Sequence, residues 1–300
     1  MTAPAVAISD LNYDKPKRRG LAARFVLTHP LGAAGLFVIV AMILAGVFAE
    51  FVSPYDPLTV DYGAMLAGPS AEHWLGTDTF GRDVLSRIIH GARTALMVGF
   101  LSSFAGSTLG AILGVASAYF GGRIDMILQS FMDILLSFPI IVLALAVVAI
   151  LGKNVAFGLD INLIIAIAIP MVPRVARVVR SSALAIREMA YIDAARTAGF
   201  GHTRIIFRHI VPNVTAPFLI MLTALVAQAI LLEASLSFLG LGVTEPTAAW
   251  GLMLSGTADD FYQQAPWMIV FPGLAISLAV FAFNLFGDSL RDWLDPKIKI

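Results

Sequence analysis

Six stretches of this 300-residue chain are apolar for long enough to cross a lipid bilayer as helices, and they constrain its fold more than any other feature. They fall at about residues 31–51, 94–120, 126–151, 161–178, 215–236 and 267–285. Crossing the hydrocarbon core takes about 20 helical residues. A lone strand cannot satisfy its backbone N–H and C=O groups in lipid, so each run is expected to be helical. Only 13% of the residues are charged, where soluble domains carry about 25%. The expected fold is therefore an all-α polytopic membrane protein with six transmembrane helices. The first run has about 21 residues, longer than the apolar region of roughly 7–15 in a cleaved signal peptide. It is read as a retained span, with residues 1–30 a polar tail ahead of a transmembrane domain at 31–300. Pro139, Pro170, Pro173 and Pro272 interrupt spans, and the fourth run is the weakest of the six.

Net charge is zero, but its distribution is uneven. If the N-terminus is cytoplasmic, that side receives the basic tail, Arg123, the arginines from Arg174 to Arg208, and Arg291, Lys297 and Lys299. Together these are 16 of the 20 Lys and Arg residues. Cytoplasmic loops carry the excess of Lys and Arg, so both termini are expected in the cytoplasm. The other side keeps Arg82, Arg87, Arg93 and Lys153, within outer segments at 52–93, 152–160 and 237–266.

Residues 187–213, REMAYIDAARTAGFGHTRIIFRHIVPN, form a charged island between apolar blocks, and the same count places it in the cytoplasm. From Ser182 to Ala198 the composition favours helix, with Ala190, Ala194 and Ala198 on one low-profile stripe and Met189 and Ile192 beside it. Asp193 and Arg196 are spaced to pair. Gly199 stands where a helix end wants positive φ. A second short helix, about residues 203–210, is expected to end near Pro212, because the residue before proline avoids the helical region. Helix, glycine turn and helix make a compact wedge over residues 182–213. The plainer reading is an amphipathic connector on the membrane surface.

Several chemistries lack their residues. No Gly-x-x-x-x-Gly-Lys-Ser/Thr loop exists; Gly152-Lys153 has no upstream glycine and is followed by Asn154, so no nucleotide cradle of that kind is expected. The histidines (29, 73, 90, 202 and 209) form no HExxH pair or other compact ligand set, and there is no cysteine for disulfides or thiolate metal sites. No Gly-x-Ser-x-Gly nucleophile turn occurs. No catalytic residues, metal site or cofactor are therefore assigned, and uphill transport would draw on a partner or an ion gradient.

Asp193-Ala194-Ala195, then Gly199, then Pro212 thirteen positions on resembles the E-A-A-x3-G-x9-I-x-L-P loop of ATP-driven importer permeases. Here Asp193 replaces Glu, His209 stands at the Ile position and Val211 replaces Leu. Residues 73–91, HWLGTDTFGRDVLSRIIHG, are similar to the signature after the first span of C-type dipeptide and oligopeptide permeases. Also similar to that branch are YFGGRID at 119–125, EASLSFLGLG at 233–242, Trp250-Gly251, and FNLFGDSLRDWLDP at 283–296. The resemblance, to the peptide and nickel branch of binding-protein-dependent ABC importers, covers the chain from about residue 30 onward. It implies the type I importer permease fold in a bacterial inner membrane, with residues 182–213 as the coupling loop. Glu188, Asp193, Ala194, Ala195, Gly199, His209 and Pro212 would form the contact with the ATPase. It further implies a second related permease, two ATPase subunits that bind ATP and Mg, and an external substrate-binding protein, with lipid around the spans and no nucleic acid. The solute would be a di- or oligopeptide or something similar.

The outer signature, Gly76, Thr77, Asp78, Gly81, Arg82 and Asp83, is expected to form a turn and ion-pair cluster, with Asp78 capping a helix that starts near Gly81. Contact with a binding protein is the other reading. Gly106, Gly110 and Gly114 recur every fourth residue, as in closely packed membrane helices. Asp133 and Glu233 lie inside spans and must face protein or water; they are open as pathway residues or as buried structural carboxylates. An ion relay through them would make the protein a secondary transporter or channel.

Overall fold

The computed structural model describes residues 21–156, 158–255 and 261–294. The N-terminal basic cluster up to Arg19, and Lys297 and Lys299, lie outside them. Helix α1 (Leu21–Thr28) leads into α2 (Pro30–Val47), the first long apolar helix, and a single turn, α3 (Ala49–Val52). An irregular segment follows, and then α4 (Val84–Phe120) runs for 37 residues. It begins ten residues earlier than the apolar run suggested. Asp83 caps it, accepting from the Ser86 N–H, so Asp78 is not the cap and the outer segment is shorter than expected.

The third expected span is not one helix. It is α5 (Gly122–Leu136) and α6 (Ile140–Leu151), bent by 95° across residues 137–139. Pro139 explains the break, because it excludes its predecessor Phe138 from the helical region. A short hairpin of β1 (Val155–Ala156) and β2 (Leu159–Asp160) precedes α7 (Ile161–Ala168). One 3-10 turn (Ile169–Met171) then joins α7 to α8 (Val172–Arg187). Pro170 and Pro173 leave this segment continuous, because each sits in the first turn of a new helical element, where a missing N–H costs nothing. The run judged weakest by sequence is in fact the most buried of the long spans. Two small helices, α9 (Ala190–Thr197) and α10 (His202–Ile205), and a π turn (Ile206–Ile210) lead into α11 (Val211–Phe238). After α12 (Trp250–Met253), α13 (Trp267–Leu294) closes the fold.

Among the described residues, five helical segments are long and apolar enough to cross a membrane, and the bent α5–α6 pair makes six. The pair does carry the chain from one end of the bundle to the other. Its start adjoins the end of α4, while Lys153 and Leu163 share a cavity with His90 and Arg93 near the start of α4.

The core is assembled by the glycine row of α4. A Cβ placed on Gly106, Gly110 or Gly114 would stand 2.7, 2.7 and 2.5 Å from the carbonyl oxygens of Ala168, Val172 and Ala176. The four-residue repeat of one helix thus meets the four-residue repeat of the other, backbone against backbone, as the spacing suggested. Around this seam pack Val115, Ala118, Ile167, Met171, Val175 and Val179, all buried. The faces of α2, α4 and α13 that point outward carry exposed Phe37, Ile112, Leu278 and Phe281, as expected of surface that meets lipid.

Candidate functional sites: a wedge at one end, a clasp at the other

The wedge begins where α8 stops. Composition favoured one helix from Ser182 to Ala198, yet the chain turns at Glu188 and Met189, where Met189 is extended. Ile186 on α8 and Ile192 and Ala195 on α9 all enter the same core. An unbroken helix would carry Ile192 about 9 Å beyond Ile186, out of the bundle. On α9, therefore, Ala195 packs inward with Ile192, and Ala190, Tyr191, Asp193, Ala194, Arg196 and Thr197 form the exposed surface. Glu188 is exposed at the end of α8. Asp193 pairs with Arg196 at 2.9 Å, both largely exposed, a contact worth little by itself.

Gly199 ends α9 with φ +76°. Its N–H bonds to the Arg196 carbonyl at 2.9 Å and the Phe200 N–H to the Ala195 carbonyl at 3.1 Å. This is the paired closure of a helix that requires a left-handed residue, and glycine adopts it without a Cβ penalty. The Arg204 guanidinium lies 3.9 Å from the centre of the Phe200 ring. His209, the departure from the importer pattern, is half-buried between Phe200 and Tyr191, with ring centroids at 6.4 and 6.0 Å. An imidazole there keeps the aromatic packing that holds the turn together.

The second helix does not end near Pro212. The chain stays helical from His202 to Phe238, because the π turn widens the coil just before the proline. The Val211 N–H reaches back five residues to the Ile206 carbonyl, and the Asn213 side chain donates to the His209 carbonyl at 2.6 Å. Such widened turns relieve the clash and lost bond a proline brings. The wedge is therefore rigidly continuous with α11. It is also tied to the end of α4, where the Tyr119 hydroxyl meets His202 Nδ1 at 2.7 Å and Arg187 donates to the Ala118 carbonyl at 2.7 Å. Close by, Arg180 holds Asp125 through two bonds of 2.6 Å.

The signature segment builds the clasp at the opposite end. Asp78 Oδ1 accepts the N–H groups of Phe80 and Arg82, and Oδ2 accepts from Arg82 Nε at 2.6 Å. Gly76 and Gly81 supply positive φ on either side. Arg82 reaches across to Glu245 at 2.8 Å, and the fully buried Arg87 lies 3.7 Å from the same carboxylate while donating to the Pro57 carbonyl. Burial works against the Arg82 charge, but its bonds to Glu245 and Asp78 outweigh it and raise its pKa further. Asp83 carries His73 at 3.0 Å as well as the α4 cap. The Thr77 hydroxyl donates to the Ala64 carbonyl, and the Thr77 carbonyl accepts from the Trp267 indole at 3.0 Å. The expected cluster is thus real, but half its partners were invisible in sequence. Glu245 is 163 positions from Arg82 and carries no local signal. Arg87 could have been singled out as a charge on the first turns of an apolar helix.

Asp133 and Glu233 separate clearly. Glu233 is buried on α11, where Oε1 accepts from the Ser237 hydroxyl at 2.7 Å, and that hydroxyl also accepts the Val243 N–H. Through Ser237 this carboxylate ties the end of α11 to the following turn. Asp133 on α5 is exposed and paired with Arg177 of α8.

Among the described residues, five long apolar helices and one bent pair that makes a sixth, with charged clusters at both ends of the bundle, define a multi-pass membrane protein. Residues 106–300 match the family described as binding-protein-dependent transport system inner membrane component, and residues 20–69 match the N-terminal transmembrane domain of oligopeptide transport permease C. A dipeptide transport system permease of Alkalihalophilus pseudofirmus is 45% identical over 90% of this chain and 87% of its own. A glutathione transport system permease of Pectobacterium atrosepticum is 41% identical over 100% of this chain and 97% of its own. In fold, the inward-facing MetNI methionine ABC transporter aligns with TM-score 0.55 at 17% identity, covering 70% of this chain and 97% of that one. The chain belongs to the family of binding-protein-dependent transport system inner membrane components. It is the permease subunit of an ATP-driven importer, in a system that includes an ATPase and a substrate-binding protein.

Proposed function

We propose that this permease carries di- or oligopeptides, or solutes of similar size and polarity such as glutathione, into the cytoplasm. The names of its relatives support that solute class. It forms half of the path, and a second related permease forms the other half. The wedge end faces the cytoplasm, as the bias of 16 basic residues in 20 favours, and the clasp end faces the binding protein. Two ATPase subunits dock on the wedges, while ATP and Mg are held by those subunits.

One observation carries the coupling role. The exposed surface of α9 (Ala190, Tyr191, Asp193, Ala194, Arg196 and Thr197) sits on a base bonded to α4 and continuous with α11. A push on that surface turns the long helices as a body. A photo-crosslinker placed at Ala194 in the assembled transporter should capture an ATPase subunit, whereas one at Leu278 should not. Capture at neither, in vesicles that still take up solute, refutes the docking assignment. Isotope-labelled dialanine bound by the partner binding protein tests the solute class.

A further inference from the structure

Several polar side chains of α8 point away from the bundle core at the depth where lipid would tolerate them least. Arg174 is thirteen residues from either end of the helical segment Ile161–Arg187. That places it about 20 Å from both ends, near the middle of a hydrocarbon core about 30 Å thick. Its side chain is exposed, and it donates to the side-chain carbonyl of Gln228 on α11 at 2.8 Å. Arg177, one turn further, is half-exposed and paired with Asp133 of α5, itself 59% exposed. Val178 and Ser181 continue this exposed face towards the wedge. The outward faces of α2 and α13 present phenylalanine and leucine at such positions instead.

Charged groups inside a span face protein or water. Here three elements, α5, α8 and α11, bring their polar groups to one exposed face. We infer that Asp133, Arg174, Arg177 and Gln228 line the water-filled solute passage. Arg177 is matched by a carboxylate. Among the described residues Arg174 has only an amide, so the middle of the passage is electropositive and receives a carboxylate of the solute. This rests on the reading of a path shared with a second permease. A dry contact with that permease is the opposing arrangement, in which the partner would cover the face.

The chain has no cysteine, so labelling read on this subunit, separated from its partners after reaction, reports on one introduced thiol at a time. Val178→Cys and Ser181→Cys are made in the full transporter in membrane vesicles, with Tyr62→Cys as a solvent reference and Leu278→Cys as a lipid-facing one. Each is reacted with an anionic (sulfonatoethyl) and a cationic (trimethylammonioethyl) methanethiosulfonate, with and without ATP. Both α8 thiols should react in at least one nucleotide state, and Leu278→Cys in none. Divided by the ratio at Tyr62→Cys, the anionic-to-cationic rate ratio at Val178→Cys should be about threefold or more, because a fixed cation concentrates anions locally. Arg174→Gln should bring it close to one and Arg174→Lys should keep it. Uptake and ATP hydrolysis are followed in the same vesicles. Unreactive α8 thiols in a working importer overturn the passage assignment while leaving the importer reading untouched. A normalised ratio near one in the native background overturns the electropositive midpoint, and that measurement requires no change at Arg174.

Discussion

Replacing Gly114 with alanine adds one methyl group to the seam between α4 and α8. That methyl carbon would stand 2.5 Å from the Ala176 carbonyl oxygen and 3.0 Å from the Arg180 nitrogen. Neither neighbour is a side chain that can rotate aside, because both belong to the backbone of a buried helix. To restore an ordinary contact, the helices must part by about 0.9 Å, and a gap of that size forfeits up to roughly half of each dispersion contact along the seam. Overpacking of this kind costs about 1–3 kcal/mol. Gly273→Ala on α13 is the matched control, since nothing lies within 4 Å of its added Cβ. It should be neutral, or stabilising by up to about 1 kcal/mol through helix propensity. The assay heats detergent-solubilised protein and finds the temperature at which half the monodisperse species is lost. Gly114→Ala should lower it by several degrees and Gly273→Ala should not. Equal midpoints for the native chain and Gly114→Ala would refute the seam argument, because the close approach would then carry no energetic weight.

Three further outcomes are expected. Gly199→Val forces a β-branched residue to φ +76° with no steric contact to relieve, a local cost of about 1–2 kcal/mol. Membrane insertion should be normal and ATP hydrolysis uncoupled from uptake, and native uptake per ATP would count against the wedge as coupling element. Asp78→Ala should lower the thermal midpoint more than Glu245→Ala. Asp78 is buried and accepts two backbone N–H groups besides Arg82, and losing such a buried partner costs about 3 kcal/mol; the reverse order would mean the cross-chain pair dominates the clasp. Glu233→Gln should leave uptake intact, since a glutamine carbonyl can still accept from Ser237. A loss of uptake in stably folded protein would restore Glu233 as a pathway residue.

Residue spacing revealed the elements that depend on local rules. The four-residue glycine row, the left-handed end at Gly199 and the Asp193–Arg196 pair all follow from helix periodicity, and each is present. Where a proline was taken to end or weaken a helix, the outcome turned on neighbours. Pro170 and Pro173 fall at the starts of helical elements, Pro212 follows a π turn, and only Pro139 coincides with a break. The inward turn of Ala195 could not be read from the alanine stripe either, because its direction follows from the core that receives Ile186 and Ile192.

By itself, the sequence determined that this chain crosses a membrane as helices and bears a charged wedge of an importer permease. Those properties rest on apolar run length, the asymmetry of charge, and motifs within a few tens of residues. Tertiary structure alone decided which partner each charge meets: Arg82 meets Glu245, Arg177 meets Asp133, and Arg174 meets the neutral amide of Gln228. It also separated Glu233, buried and bonded, from Asp133, exposed on a polar face. The reason is physical, since the cost of a charge in a membrane protein depends on whether it faces lipid, protein or water. That is set by how helices distant in sequence pack together.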